Sequence, residues 1–378
     1  MKKEKTISIS EIKHNNRRMI LEYLRKRHTL SRTDIVYDLH ISFPTVIQNL
    51  QYLTELGVVD DSKRISNTGG RNAVAYTFLQ NAKLAIGVDV AEFRIKAVLV
   101  NLAGEVVDII RRDKKFCMED DYLREIGRVV DEMVEKHQIS ADRLLGVGIA
   151  VPGIVDEEGE YVVYGGTMNF TGARKEQFTR YIKYPSRLLH DVYAAGCAEA
   201  WGNPEDDNVF YIMLNNTIGG SFRTGDSLYV GDTGKSGEIG HTMVETHEGR
   251  TCYCGRRGCL EVYCNAVQLA KHTDGKLDTF FDGIRNGDSR MEEILDEYLR
   301  YLAVAINNVR LLFNCKIVVG GYVGAYMELF KEKLIEHVNG LNPFGEDAAE
   351  YLLSCKYKVE STAAGAGIVF IDEYLYNI

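Results

Sequence analysis

From Lys83 onward the chain alternates short apolar runs with helical stretches, and this alternation constrains its fold more than any other feature. Leu84–Val90, Ile95–Val100 and Glu105–Ile110 read as strands, the last two joined at Asn101-Leu102-Ala103-Gly104. A helix follows over Tyr122–His137, then the apolar run Leu144–Val151, which ends at Pro152-Gly153. Arg187–Leu189 is a short strand entering His190-Asp191. Asn208–Leu214 opens a second sheet of the same character, and Ile317–Val319 runs into Gly320-Gly321 after a long helix over Met291–Phe313. A last helix covers Thr362–Leu375. Strands followed by helices, in two successive sets, predict two α/β lobes with a cleft between them. Residues 83–195 with 362–378 make the smaller lobe in this reading, and residues 196–361 the larger.

The first 82 residues have another character. Ile12–Leu24 reads as a helix with Ile12, Met19, Ile20 and Leu24 on one face. Ser31 and Asp34 have capping-box spacing at the start of a second helix, whose apolar face is Ile35, Val36 and Leu39. After a turn at His40-Ile41, Ser42 caps a third helix with Pro44 in its first turn, Val46, Leu50 and Leu53 facing inward and Gly57 closing it. Two helices joined by a tight turn form a helix-turn-helix pattern. Val58-Val59 and the alternating Val74, Tyr76 and Phe78 flank a glycine-rich basic tip, which makes a wing. Thr45, Gln48, Asn49 and Tyr52 are expected to face outward from the third helix, where Asn and Gln suit bidentate contacts to adenine. Arg17, Arg18, Lys63, Arg64 and Arg71 are expected to hold phosphates, and Ser31, Arg32, Ser42 and Pro44 to complete the DNA-facing set. The competing reading is a small helical protein-interaction domain with a solvated basic face.

Charge divides the chain at the same place. Residues 1–80 hold 13 Lys and Arg against 8 Asp and Glu, whereas the remaining 298 hold 32 against 46. The overall net charge of -9 therefore conceals a basic head on an acidic body. Hydrophobic residues make up 45% and charged residues 26% of the chain, with 5 prolines, which is the composition of a globular protein. No stretch of about 18 apolar residues is present, and no apolar segment follows the basic start, so a cytoplasmic protein without a membrane anchor is expected.

Four of the 8 cysteines fall between Cys252 and Cys264. With His241 or His247, Cys252, Cys254 and Cys259 supply one imidazole and three thiolates, a donor set that favours a tetrahedral, structural zinc, one per chain. Gly255 and Gly258 let the loop fold tightly enough to converge the sulfurs. A disulfide pair or free thiols is the competing reading. Cys264, outside the pattern, is assigned to the core.

Ser236-Gly237-Glu238-Ile239-Gly240-His241, followed by Cys252-Tyr253-Cys254-Gly255-Arg256-Arg257-Gly258-Cys259-Leu260-Glu261, resembles the signature of the ROK (repressor, open reading frame, kinase) family. Gly148–Asp156 resembles another of its segments, and the N-terminal winged helix lies where regulators of the xylose and N-acetylglucosamine repressor type carry theirs. The resemblance implies an actin-like (sugar-kinase, ribonuclease H-like) pair of lobes behind the winged helix-turn-helix. It also implies His241 as the zinc ligand and a sugar site at Asp191, Glu238, His241 and Glu261. His190 stands where the family usually has Asn, and Asn169 is a weaker candidate for the same cleft.

Family kinases bind phosphate at a loop of the form Asp-x-Gly-Gly-Thr, which here reads Asp89-Val90-Ala91-Glu92-Phe93. Without the glycines the backbone loses its close approach to a phosphate, and Glu92 adds like charge. The second loop, Gly-Thr-Gly-Ile-Gly in kinases, reads Asn215-Asn216-Thr217-Ile218-Gly219, and Tyr322 follows Gly320-Gly321. These departures predict a sugar-binding regulator that uses no ATP and catalyses nothing. It is expected to act on operator DNA as a homodimer or homotetramer, with a sugar or sugar derivative as effector. An active kinase carrying a DNA-binding head and a regulator controlled by a protein partner are the alternatives.

Overall fold

A computed structural model of the protein describes residues 9–65 and 73–378. The head is built from α1 (Ile9–Arg27), β1 (Thr29–Leu30), α2 (Arg32–Leu39), α3 (Phe43–Glu55), β2 (Val59–Ile65) and β3 (Ala73–Phe78), with its sheet ordered β1-β3-β2. Three helices followed by an antiparallel β2–β3 pair make a winged helix. At the start of α2, the Asp34 N–H donates to Ser31 Oγ at 3.2 Å and the Ser31 N–H donates back to the Asp34 carboxylate at 2.9 Å. His40 turns the chain at φ 54° and Gly57 ends α3 at φ 76°, a conformation glycine adopts without strain. Ile20, Leu24, Ile35, Val46, Leu50 and Leu53 are fully buried. Ile12 and Met19, expected on that face, are exposed instead. The Ser42 hydroxyl caps no backbone N–H; it pairs with Thr45 Oγ1 at 2.8 Å.

The body begins with β4 (Leu84–Ala91), β5 (Arg94–Asn101) and β6 (Val106–Asp113), an antiparallel meander, followed by α4 (Asp120–Lys136) and β7 (Leu144–Val151). A small hairpin, β8 (Ile154–Val155) and β9 (Val162–Tyr164), precedes α5 (Lys175–Thr179), β10 (Ser186–His190) and α6 (Asp191–Gly202). The first sheet has the order β10-β7-β4-β5-β6, with β7 and β10 parallel to β4. The second lobe repeats the plan. There β11 (Asn208–Leu214), β12 (Ile218–Thr224) and β13 (Ser227–Tyr229) form the meander. Helices α7 (Glu261–Cys264), α8 (Ala266–Ala270), α9 (Leu277–Arg285) and α10 (Ser289–Phe313) intervene before the parallel β14 (Lys316–Gly320). Short α11 (Gly321–Gly324) and α12 (Lys331–Asn339) lead to β15 (Leu352–Ser354), giving the order β13-β12-β11-β14-β15. A meander of three strands extended by two parallel ones, occurring twice, is a duplicated actin-like pair of lobes.

Helix α13 (Ser361–Tyr376) returns to the first lobe and lies on β4, β5 and β7. Its first turns, Ser361-Thr362-Ala363-Ala364-Gly365-Ala366-Gly367, are wholly buried and small. A Cβ at Gly87 of β4 would stand 1.7 Å from the Ala363 carbonyl, so the helix backbone rests directly on the sheet. The same helix packs against α6, which also touches β12 of the other lobe. The expected lobe boundary at 195/196 thus falls within α6, a helix shared between the lobes. No helix among the described residues is long and apolar enough to cross a membrane.

Candidate functional site

The two meanders present equivalent turns to the same side of the cleft: Glu92-Phe93 between β4 and β5, and Asn215–Thr217 between β11 and β12. Between and below them lies a cavity in two connected chambers. The inner one, about 510 Å³ when the solvent-open space at its mouth is counted, is lined by His190, Asp191, Glu238, His241 and Tyr253 among others. The outer one, about 1350 Å³ with its mouth, runs past Asp89–Phe93, Asn215–Thr217, Glu261 and Tyr322. Asp191, Asn215, Thr217 and Tyr253 line both.

His190 and Asp191 occupy the β10–α6 junction, where the strand's end delivers them into the cleft. His190 Nε2 is 3.4 Å from Asp191 Oδ1 and 3.9 Å from Glu238 Oε1. Burial pushes the Asp191 carboxyl up to about 8, reinforced by the charges of Asp89 and Glu238. At neutral pH this group both donates and accepts hydrogen bonds. Burial pushes His190 down to about 4, leaving a neutral ring with one N–H and one lone pair. Glu238 is likewise raised by burial. Carboxyls and a neutral imidazole converging on a cavity offer mixed donors and acceptors, the complement of vicinal hydroxyls.

Glu261 faces the outer chamber and is largely committed to the protein. Its Oε2 accepts from the Ile218 N–H at 2.6 Å and its Oε1 from Asn265 Nδ2 at 3.2 Å. Asn169, a sequence candidate, does not line either chamber; it is exposed at φ 56°, while its neighbours Thr167 and Met168 reach the cavity. Tyr164 and Tyr253 line both chambers and were not among the sequence candidates. The signal for Tyr253 was its place between two cysteines of the cluster.

His241, Cys252, Cys254 and Cys259 offer ligand atoms that all lie within 4.8 Å of one another. Cys254 Sγ is 3.7 Å from Cys259 Sγ, and Cys252 Sγ is 3.8 Å from His241 Nδ1. Two thiolates on a tetrahedral zinc with bonds of about 2.3 Å stand about 3.8 Å apart, so the donor set fits that ion. All of these cysteines are free thiols. Gly258 takes φ +80° and a Cβ there would meet the Glu245 carbonyl at 1.8 Å, which closes the loop. His241 Nε2, the nitrogen turned from the cysteines, is 3.2 Å from the Tyr253 hydroxyl. His247 is outside the cluster and contacts Thr246 Oγ1 at 3.0 Å. Cys264 is buried against the Tyr298 carbonyl at 3.4 Å.

The segments that match the kinase phosphate loops are used internally. Asp89 is buried with Lys96 Nζ 3.8 Å away, and that ammonium also donates to the Val359 carbonyl. Burial pushes Asp89 up and Lys96 down, each against the attraction of the other. Asn215 Oδ1 accepts from the Tyr322 N–H at 3.0 Å, tying the second turn to the Gly320-Gly321 segment.

In the head, Pro44 and Gln48 are exposed on α3 beside the partly exposed Thr45, and Ser42 precedes them. Lys63 and Arg64 are exposed on β2. Asn49 departs from expectation: it is fully buried, its Nδ2 donating to the Thr45 carbonyl at 2.8 Å. Ser31 is buried in its capping box, and Arg32 donates to the Tyr76 hydroxyl at 2.6 Å. Arg17 lies 3.6 Å over the Tyr52 ring and donates to the Ile378 carbonyl, while Arg18 lies 5.6 Å over Tyr376. These two arginines therefore meet the end of α13, and Arg17 also packs on α3. Arg71 lies outside the described residues.

A winged-helix head on a duplicated actin-like body joins a winged-helix fold to a sugar-kinase fold. The chain belongs to the ROK family, whose profile matches residues 85–373. It is 26% identical over 320 residues to the xylose repressor of Bacillus subtilis, covering 82% of each chain. It is 27% identical over 308 residues to an N-acetylmannosamine kinase of Escherichia coli O7:K1, covering 77% of this chain and 99% of the kinase. Among solved structures, a ROK family transcriptional regulator, homologous to the E. coli MLC protein, superposes with a TM-score of 0.72 at 21% identity over 97% of each chain.

Proposed function

We propose that the protein is a sugar-responsive transcriptional repressor whose body binds a sugar without phosphorylating it. One observation carries this reading: a cleft lined by Asp191, Glu238 and His241 coexists with a phosphate-loop position filled by the buried Asp89–Lys96 pair and the Glu92-Phe93 turn. Phosphoryl transfer depends on positioning and on neutralising phosphate charge, and among the described residues neither chamber is lined by a lysine or arginine. The likeness to the xylose repressor of Bacillus subtilis over 82% of the chain supports the same reading.

In this mechanism the sugar hydroxyls bond Asp191, Glu238, His190 and His241 Nε2. A zinc held by His241 Nδ1, Cys252, Cys254 and Cys259 supplies cross-linking of the loop and no reaction chemistry. The three cysteines and Gly258 hold His241 and Tyr253 in place beside Glu238. Closure of the lobes on the sugar shifts α6, which begins at Asp191 and is shared between them. In a homodimer or homotetramer this changes the spacing of two heads across a palindromic operator. Gln48 and Thr45 read base edges, and Lys63, Arg64 and Arg71 hold phosphates. Because coupling is reciprocal, sugar and operator weaken one another by the same factor.

Fluorescence anisotropy with an operator selected from random DNA tests this reading, with sugars titrated in. Release of the operator by a sugar is the expected result. Equal operator affinity with and without every sugar overturns it. The likeness to the E. coli kinase over 99% of that protein favours a second reading, a sugar kinase with a DNA-binding head. ADP release from ATP in the presence of a sugar would establish that reading.

A further inference from the structure

The outer chamber stands where a kinase would hold its nucleotide phosphates, yet its walls are built for something else. Phe93 is 56% exposed at the tip of the first turn, and Tyr322 lines the opposite lobe. Tyr164 and Tyr253 line both chambers and form the throat between them. Among the described residues, neither chamber has a lysine or arginine in its lining. The buried Lys96 is 1% exposed, is engaged by Asp89 and the Val359 carbonyl, and has its ammonium 5.7 Å from the centroid of the Tyr322 ring. Asp89 and Glu92 line the chamber and oppose any anion.

Aromatic faces set around a polar, uncharged-to-acidic cavity suit the alternating C–H and O–H faces of sugar rings, and they disfavour a phosphate. We infer that the cleft takes an unphosphorylated saccharide of at least two rings, the first in the inner chamber and the next in the outer chamber between Phe93 and Tyr322. This rests on the sugar reading above and specifies the ligand's class. The Asp191 carboxyl lines both chambers and stands at their junction, where it can bond hydroxyls of either ring.

Isothermal titration of the zinc-loaded, full-length protein tests the inference. The probes are glucose, xylose and N-acetylglucosamine, the disaccharides cellobiose, maltose and xylobiose, and glucose 6-phosphate. At least one disaccharide is expected to bind about tenfold or more tightly than its monosaccharide unit. Glucose 6-phosphate is expected to bind more weakly than glucose. Val267 is 45% exposed in the outer chamber, so Val267→Trp fills that chamber without disturbing the core. This variant is expected to bring disaccharide affinity down to that of the monosaccharide, which stays unchanged, and Phe93→Ala to weaken the disaccharide severalfold. Equal affinity for monosaccharide and disaccharide, tighter binding of the phosphate, or an unaltered disaccharide affinity in Val267→Trp each overturns the two-ring cleft and leaves the sugar reading standing. Absence of binding by every saccharide overturns the sugar reading and this inference with it.

Discussion

The guanidinium of Arg25, on the first helix of the head, lies 4.5 Å from the ring centroid of Trp201, near the end of α6. Trp201 is the single tryptophan of the chain, and its indole N–H donates to the Ala103 carbonyl at 3.0 Å. Since α6 begins at Asp191 and runs for 12 residues, it spans about 18 Å between the cleft and the head. A rigid element touching both sites is a physical route for coupling them. Lys26 and Glu205, 3.4 Å apart and exposed, add little to the docking.

Replacing Arg25 with alanine therefore separates sensing from response. The stacked pair is expected to contribute about 1 kcal/mol, so the melting temperature falls slightly. Sugar affinity stays the same, while the factor by which sugar weakens operator binding shrinks severalfold. Trp201 emission reports the undocking directly, and anisotropy with labelled operator measures the coupling. Full coupling in Arg25→Ala would remove α6 from the route.

The metal cluster predicts a second result. Elemental analysis of the purified protein is expected to give one zinc per chain. Chelation, or Cys254→Ser, is expected to abolish sugar binding and lower the melting temperature while circular dichroism still reports folded lobes, because the loop carries His241 and Tyr253 and, between His241 and Cys259, lends the larger lobe's core the partly buried Val244. Free energy of metal binding to such sites enters stability directly, so the loss on chelation should be reversed by added zinc. Retention of sugar binding in the metal-free protein would show that the loop positions nothing in the cleft.

Local chemistry was legible in the sequence, and long-range contact was not. The Ser31–Asp34 capping box, the turn at His40 and the strand at Leu144–Val151 depend on neighbours in the chain, and they form as read. The cysteine cluster was legible for the same reason, since three of its four donors lie within one loop. By contrast, Arg17 meets Ile378 across almost the whole chain, and no local pattern marks that pairing. Strand β12 was missed because Ile218-Gly219-Gly220-Ser221 has weak strand propensity, and pairing with β11 overrides it. Asn49 is a different failure. It lies on the same 3-and-4 spacing as Val46, Leu50 and Leu53, so the helical period already placed it on the buried stripe, and its polarity was given too much weight.

That stripe makes a prediction about DNA reading. Gln48→Ala is expected to relax base preference at one position of each half-site, a loss of about 1–3 kcal/mol in discrimination. Asn49→Leu is expected to leave base preference intact. Its Oδ1 is buried without a partner among the described residues, so replacing the amide with an apolar group of similar size should be neutral or stabilising in thermal melts. Selection of binding sites from random DNA distinguishes the two variants. A changed preference in Asn49→Leu would place that side chain at the bases.

The last prediction concerns Asp191, whose carboxyl is held up to about 8 by burial and by the charges of Asp89 and Glu238. Its folded pKa exceeds the ordinary value near 4, so its stabilising contribution is complete below that value. The contribution declines as pH rises, because the unfolded chain ionises first, and it is gone above about pH 8. His190, 3.4 Å away and pushed down to about 4, has the opposite sign: its contribution is present above its ordinary value near 6.5 and is lost as pH falls towards 4. Above pH 7 the imidazole is neutral in both states, which isolates the carboxyl. Asp191→Asn cannot ionise, so its melting temperature is expected to rise relative to the parent protein between pH 5 and pH 8 and to hold a constant margin beyond. The margin corresponds to a few kcal/mol at most. Thermal melts of the two proteins across pH 5 to 9 measure it, and parallel curves would mean that Asp191 ionises in the folded protein as it does in water.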